Sequence, residues 1–273
     1  MEAVFNADGL YSYIVDGQNL IVPGYAPEYS DYRYIENEEN GGKDTSNGVG
    51  EKKVMYEVSP DGLSVQCIVN AQGSKVPYTF IYTFYADGTS ELETIFRPVI
   101  NNLRRLGVEL RFPREWQNVE YYARGPFSNY IDRYEGAFLG RYSTTVSDMY
   151  ESFARPQSTG NHEALRWLTL TDENGKGVRI ETEGQVSFSL LPYSDISLYN
   201  AKHNWELPPP GDVYAHFDYI QRGVGNGSCG KNTGTLTAYK VPDTGSYGYK
   251  LRIPPFNNKK IGIVPRKTTS YIK

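Results

Sequence analysis

Apolar and polar residues alternate with a period of two over most of this chain. Val54, Tyr56 and Val58 are followed, after a Pro60-Asp61-Gly62 turn, by Leu63, Val65, Cys67 and Val69. Residues 78–85, an Asp87-Gly88 pair and residues 92–98 repeat the unit, and 106–112 and 119–123 continue it. This period with one apolar face marks antiparallel strands, and the Asp-Gly pairs supply turn residues that tolerate positive φ. At the N-terminus, residues 4–5 and 10–15 flank Asn6-Ala7-Asp8-Gly9 as a hairpin, and Asp16-Gly17 leads into a strand at 20–22 that stops at Pro23-Gly24. Residues 25–51 are rich in Tyr, Glu, Asn and Gly and nearly free of aliphatics, which predicts a long loop without elements of its own, either disordered or functional. Strands return at 165–170, 178–182, 186–191, 213–221, 235–240 and 247–253. One helix is expected where Ser194 and Asp195 can cap Ile196, Leu198, Tyr199 and Lys202, with Asn204 and Pro208-Pro209-Pro210 closing it. The count comes to about fifteen strands, too many for a small barrel, so an all-β, large two-layer antiparallel sandwich is expected.

Composition narrows the function. With 273 residues and 39% hydrophobic content the chain can bury a real core, which excludes disorder as its overall state. A net charge of −4 argues against nucleic acid or an anionic membrane as partner. Tyr outnumbers Phe by 24 to 11, so many positions pair an apolar body with a wet hydroxyl, as sheet faces and sugar-binding surfaces both do. Cys67 and Cys229 are too few for a disulfide framework and leave the compartment open, cytoplasm and periplasm alike. The segment Met1-Glu2-Ala3-Val4-Phe5 has neither a basic nor an apolar leader region and begins directly in a strand, which reads as an excised domain. His162, His203 and His216 lack metal-ligand spacing, and no Gly-rich phosphate loop precedes a helix.

The chemistry is densest between residues 119 and 167. Asn129, Asp132, Arg133, Arg155, Gln157, Asn161, His162 and Arg166 are interleaved there with Tyr121, Tyr122, Tyr130, Tyr134 and Trp167. Flat apolar faces beside planar hydrogen-bonding groups suit carbohydrate hydroxyls, and the same residues suit a loop-rich β protein that must satisfy buried backbone. The order Arg124-Gly125-Pro126, Asn129-Tyr130, Asp132-Arg133, Gly140-Arg141-Tyr142, Arg155-Pro156-Gln157, Gly160-Asn161 and Arg166-Trp167 resembles the C-terminal, small-chain domain of family-two β-galactosidases. The opening around residues 5–24, the Gly223-Val224-Gly225 turn and the closing strand at 249–255 agree with it.

The resemblance implies a supersandwich of galactose-mutarotase-like type over residues 1–255, followed by a basic tail at 256–273 that has no counterpart in the family. It implies that both catalytic glutamates sit in a separate barrel, that the domain packs on that barrel and helps form a β-galactoside subsite, and that the parent is a homo-oligomer. No cofactor is implied in this domain, any Mg2+ or Na+ of parent enzymes belonging to the barrel. No catalytic residue is expected here, because the acidic residues Glu120, Asp132, Asp148, Glu163 and Asp218 give no sign of converging. The substrate-facing loop of the family matches residues 222–229, placing Gly227, Ser228 and Cys229 at the sugar, although a thiol stands where a stacking tryptophan is expected. Glu36, Asn37 and Glu38 match an acid-Asn-acid run at the same mouth, and Arg155, Asn161 and His162 complete the expected contacts to a β-galactoside or other glycan. Two other readings stay open. An aldose 1-epimerase-like enzyme would need His162 or His216 facing a carboxylate across a sugar, and a stand-alone carbohydrate-binding module would need exposed rings, with Trp116, Tyr121, Tyr122 and Trp205 as candidates.

Overall fold

The computed structural model describes residues 1–35, 51–72, 76–225, 234–254 and 256. Strands β1 (Glu2–Asn6), β2 (Gly9–Val15) and β3 (Gln18–Asn19) pair in that order. A second sheet joins β4 (Glu28–Ser30), β9 (Arg105–Phe112), β14 (Ser187–Leu191) and β15 (Val213–Gln221) in the order β14-β15-β9-β4. The third has nine strands: β11 (Phe138–Thr145), β10 (Asn118–Gly125), β12 (Trp167–Thr171), β13 (Gly177–Glu183), β16 (Tyr247–Ile253), β8 (Ser90–Phe96), β7 (Tyr78–Tyr85), β6 (Ser64–Ala71) and β5 (Lys52–Val58), named here in spatial order. Every pairing is antiparallel.

Rings clamp the layers together. Tyr29 of β4 stacks on Tyr78 of β7 at 5.4 Å, and Tyr121 of β10 meets Phe188 of β14 edge-on at 5.4 Å. The three-stranded sheet lies on the same side of the large one, with Phe5 against Tyr82 at 5.5 Å and Phe84 at 5.8 Å. Backbone bonds from Val22 N–H to Arg111 O (2.9 Å) and from Arg111 N–H to Tyr25 O (3.1 Å) tie it to β9. The architecture is therefore the expected two-layer antiparallel sandwich, one layer of nine strands and one of three plus four.

Parity decides the two faces of β9 and β15. Leu106, Val108, Leu110 and Phe112 point into the core with Val213, Ala215 and Phe217. The opposite parity carries Arg105, Gly107 and Glu109 on β9 and His216 and Asp218 on β15, in rows that run Ser187-Asp218-Gly107 and Ser189-His216-Glu109 across the sheet. Gly107 is required in this grid, because a Cβ there would come within 2.1 Å of an Asp218 carboxylate oxygen. Such an outer face is normally wet, yet Arg105, His216, Asp218 and Ser187 are each at most 2% exposed. Helix α2 (Asp195–Asn200) and the chain around Arg33 and Ser158 cover it.

Four local expectations are corrected. The stretch from residue 25 is not free of elements, since Glu28–Ser30 pairs with Gly107–Glu109 and buries Tyr29. Residues 20–22 form no strand, because Leu20 and Val22 give their N–H groups to Tyr13 and to Arg111 on different strands. Residues 235–240 alternate like a strand but make a 3-10 turn at Thr237–Tyr239, and the segment docks on Gly223 by the Gly223 N–H to Tyr239 O bond of 2.9 Å and by Thr235 Oγ1 to Gly223 O at 2.7 Å, with no strand ladder. The helix ends at Asn200 with Ser194 as its N-cap, and a second short helix, α1 (Val146–Met149), starts from Thr145, whose hydroxyl accepts from Asp148 N–H.

Candidate functional site

The covered face of β9 and β15 holds a charge cluster. Asp195 enters it from the first turn of α2, with Ser158 Oγ donating to its Oδ1 at 2.6 Å. Its Oδ2 lies 3.3 Å from His216 Nε2 and 3.8 Å from Arg105 Nη1. Asp218 Oδ2 lies 3.9 Å from Arg105 Nε, and Glu109 Oε2 is 3.7 Å from His216 Nε2. Burial opposes ionisation of Asp195, but Arg105 and His216 outweigh it and hold its carboxyl well below the usual range, whereas burial pushes Asp218 up. Glu109, Asp195 and His216 offer ligand-type atoms within 4.8 Å of one another. The guanidinium of Arg105 already supplies a cation at this point, so the cluster is an ion-pair lattice. Glu109 and Asp195 bring carboxylate oxygens within 4.8 Å of each other, closer than the about 5–5.5 Å of a retaining carboxylate pair. A proton donor also needs a raised pKa, and Asp195 is held low with both oxygens engaged.

Beside this lattice runs a chain of amides. Asn129 Nδ2 donates to Arg124 O (3.2 Å) and Phe127 O (3.0 Å), and its Oδ1 accepts from Glu163 N–H at 2.9 Å. Asn161 Nδ2 donates to Asn129 O (2.8 Å) and Glu163 Oε1 (3.0 Å), while Gln221 Nε2 donates to Asn161 Oδ1 and Asp218 Oδ2, both at 3.0 Å. Arg33 donates to Gln221 Oε1 at 3.3 Å and to the carbonyl of Arg222. Every member is buried, so each exchanges its hydration for a defined partner and the network fixes one backbone arrangement. Burial raises Glu163 to about 7.

This chain ends on the glycine turn. Asp132 accepts from Val224 N–H at 3.1 Å through Oδ1 and from Gly225 N–H at 2.7 Å through Oδ2. A Cβ on Gly223 would lie 2.5 Å from the Asp132 carboxyl carbon, so only glycine lets the carboxylate come this close. Gly225 has φ +59° with Thr235 N 2.8 Å from where its Cβ would be, and Thr235 Oγ1 donates to Gly223 O at 2.7 Å. The last described residue before Gly227 is thus pinned from both sides, and Arg33 ties the same base to the chain three residues before Glu36.

Of the residues expected to contact substrate, Glu36, Asn37, Glu38, Gly227, Ser228 and Cys229 lie outside the described residues. Asn161 is the hub of the amide chain and 1% exposed. His162 is buried against Tyr121 (5.1 Å) and Phe188 (5.3 Å), with Nδ1 2.9 Å from Gly160 O; burial lowers its pKa and keeps the ring neutral. Arg155 is half-buried with its guanidinium 5.6 Å from the Tyr34 ring centre. Trp116 and Tyr121, proposed as exposed platforms, are core residues at 1% exposure, Tyr121 on the inward parity of β10 and Trp116 stacked on Phe112 at 5.9 Å. Trp205 is 80% exposed and stacks on His203 at 4.2 Å. His216 does face carboxylates, but at ion-pair distance, which leaves no room for a pyranose between them. Surface cavities of about 360, 550 and 450 Å³ occur elsewhere, and none of the three is lined by histidine. Sequence reading missed Arg105, Asp195 and Gln221 as site residues: Arg105 shows only a polar residue at outward parity, Asp195 reads as a helix-start residue, and Gln221 reaches the Arg105 side through a bulge between Asp218 and Ile220.

The sequence profile described as β-galactosidase small chain matches residues 5–253. β-Galactosidase BgaC of Bifidobacterium adolescentis is 41% identical over 122 residues, 44% of this chain and 12% of that protein. A β-galactosidase of Priestia megaterium is 27% identical over 225 residues, 78% of this chain and 22% of that protein. The chain thus spans about an eighth to a fifth of the length of these relatives. Among solved structures, a candidate aldose 1-epimerase of Escherichia coli K12 is similar with a TM-score of 0.42 and 11% identity, covering 90% of this chain and 91% of that one.

Proposed function

Because the chain belongs to the β-galactosidase small-chain family, we propose that it packs on a catalytic barrel and helps form the sugar subsite for β-galactoside hydrolysis, supplying no catalytic carboxylate itself. One observation carries this reading. The chain leaves the described structure towards Glu36–Glu38 and towards Gly227–Cys229 from a single base, joined by Arg33 to Arg222 and by Asp132 to Val224 and Gly225. A buried scaffold that fixes the two points from which these segments depart is what a subsite needs if they are to meet a sugar held by another domain. The carboxylates that do converge, Asp195, Asp218 and Glu109, are held by Arg105 and His216, which supports assigning the acid and the nucleophile elsewhere. Mg2+ or Na+, where such enzymes use them, would belong to the barrel on this reading, and a homo-oligomeric parent remains part of the proposal.

The test is a chimera. Replacing the matched segment of the Priestia megaterium relative with this chain is expected to retain hydrolysis of a chromogenic β-galactoside, while deleting that segment abolishes it. The chain alone is expected to be silent. Turnover by the chain alone that a single carboxylate substitution removes would overturn the reading.

A further inference from the structure

Strand β5 is the last strand of the nine-stranded sheet, and among the described residues nothing pairs with its outer edge. Its sequence is Lys52-Lys53-Val54-Met55-Tyr56-Glu57-Val58, and positions 53 and 55–58 are all exposed, with Met55 at 52% and Tyr56 at 62%. An uncovered edge of this length is a template for another strand: no proline interrupts it, its inward-parity charge, Lys52, is turned away to Glu28 (3.7 Å) and Asp8 O (3.1 Å), and its two exposed charges, Lys53 and Glu57, are opposite in sign.

We propose that the partner is a second copy of this chain, paired antiparallel through β5 about a two-fold axis at Met55. The strand is complementary to itself in that register. Lys53 faces Glu57 of the second copy and Glu57 faces its Lys53, so each protomer contributes one half of two opposite-charge cross-strand pairs. Val54 faces Tyr56 of the copy on the other side of the sheet, an aromatic beside a β-branched residue, and the half-covered Tyr56 ring gains a wall opposite Phe5, which it meets edge-on at 5.9 Å. On the outer side, Met55 continues the apolar row formed with its neighbours Ile68 and Ile81, and two copies extend that row without a break. A slip by two residues sets Glu57 of one copy against Met55 in one direction and against Glu51 in the other, and leaves Lys52 and Lys53 without a facing acid. A single strand edge buries less surface than a permanent dimer needs, so association is weak and concentration-dependent.

The reading is tested by analytical ultracentrifugation of the 273-residue chain from low micromolar to about 0.5 mM, the range appropriate to a small interface. The wild-type chain is expected to move from monomer to dimer. Lys53→Glu and Glu57→Lys, each alone, place like charges opposite one another in both pairs and are expected to raise the dimer dissociation constant at least about tenfold. Mixed in equal amounts, these two variants carry complementary edges and are expected to form a heterodimer, and the double variant K53E/E57K to dimerise like wild type. Both side chains are exposed, and circular dichroism confirms folding of each variant. A monomer throughout the range, a dimer indifferent to the charge changes, or open-ended assembly, which would indicate β5 pairing with the opposite edge strand β11, overturns the proposal.

Discussion

The two layers each carry a lattice of charges on their outer face, and the two behave as opposites. On the nine-stranded sheet, Arg252 lies 3.1 Å from Glu181 and 3.8 Å from Glu91, Arg179 2.8 Å from Glu181, and Lys250 3.8 Å from Glu91. These side chains are a quarter to a half exposed in most cases, and each acid has more than one basic neighbour, so losing one bond leaves water or another arginine to replace it. On the four-stranded sheet the same residue types, Arg105 with Asp195 and Asp218, are sealed under α2 and the Arg33 segment. There a lost partner cannot be replaced. Position on a sheet face therefore does not set the worth of a charge pair, but the cover over it does.

Arg105→Met is the sharpest way to break this contrast. It leaves Asp195 and Asp218 buried without their shared cation, and a loss of about 3–5 kcal/mol is expected by chemical denaturation. A second variant that also changes Asp218 to Asn is expected to recover part of it, because a neutral amide no longer needs the cation. A loss below 1 kcal/mol for Arg105→Met would show that the sealed lattice behaves like the open one.

Glu163 gives a smaller effect with a defined pH window. Its pKa in the folded chain is raised to about 7 by burial, so the folded state holds a proton that the unfolded chain releases near the ordinary glutamate value. Stability from this group is thus present at acid pH and is lost as pH rises through about 7. Glu163→Gln, which keeps the acceptor for Asn161, is expected to match wild type below about pH 4 and to exceed it by about 3 kcal/mol at pH 8.5. Asp195 has the opposite sign, its lowered pKa adding stability above the usual carboxylate range that fades as pH falls. A flat difference between wild type and Glu163→Gln across this range would remove Glu163 from the buried network.

How far the molecule could be read from its sequence follows the same division. The Asp16-Gly17 turn, with φ of 51° and 76°, and the strand at Val213–Gln221 were legible because turn chemistry and period-two alternation are local. Residues 235–240 carried the same alternation and make a 3-10 turn, because they meet Gly223 through two isolated bonds instead of a neighbouring strand. The site was partly legible: Asn129, Asp132 and Asn161 stood out as polar residues crowded between aromatics. His216 stood out only as a histidine able to face a carboxylate, and Arg105 and Asp195 did not stand out as site residues. Residues 105 and 216 read as solvent-facing by parity, and their burial depends on a helix and a loop distant in the chain, which alternation cannot report.

The glycine turn sits between the two lattices in exposure, since Asp132 is half-buried while the amides it holds belong to buried backbone. Asp132→Asn keeps the size but replaces one acceptor oxygen by a donor that opposes Gly225 N–H. A loss of about 1–2 kcal/mol is expected, read most directly as hydrogen exchange that quickens at Val224 and Gly225 and not in the preceding strand β15. Uniform change across the domain would mean that Asp132 supports the fold at large and not this turn.

Arg252→Ala should do least. Glu181 keeps Arg179 at 2.8 Å and Glu91 keeps Lys250 at 3.8 Å, and the vacated space is open to water. The expected loss is below about 1 kcal/mol and shrinks further in high salt, because exposed pairs are screened within a Debye length of about 10 Å. A loss of the size expected for Arg105→Met would mean that the open lattice is covered in solution, which only a partner seated on the nine-stranded face could do.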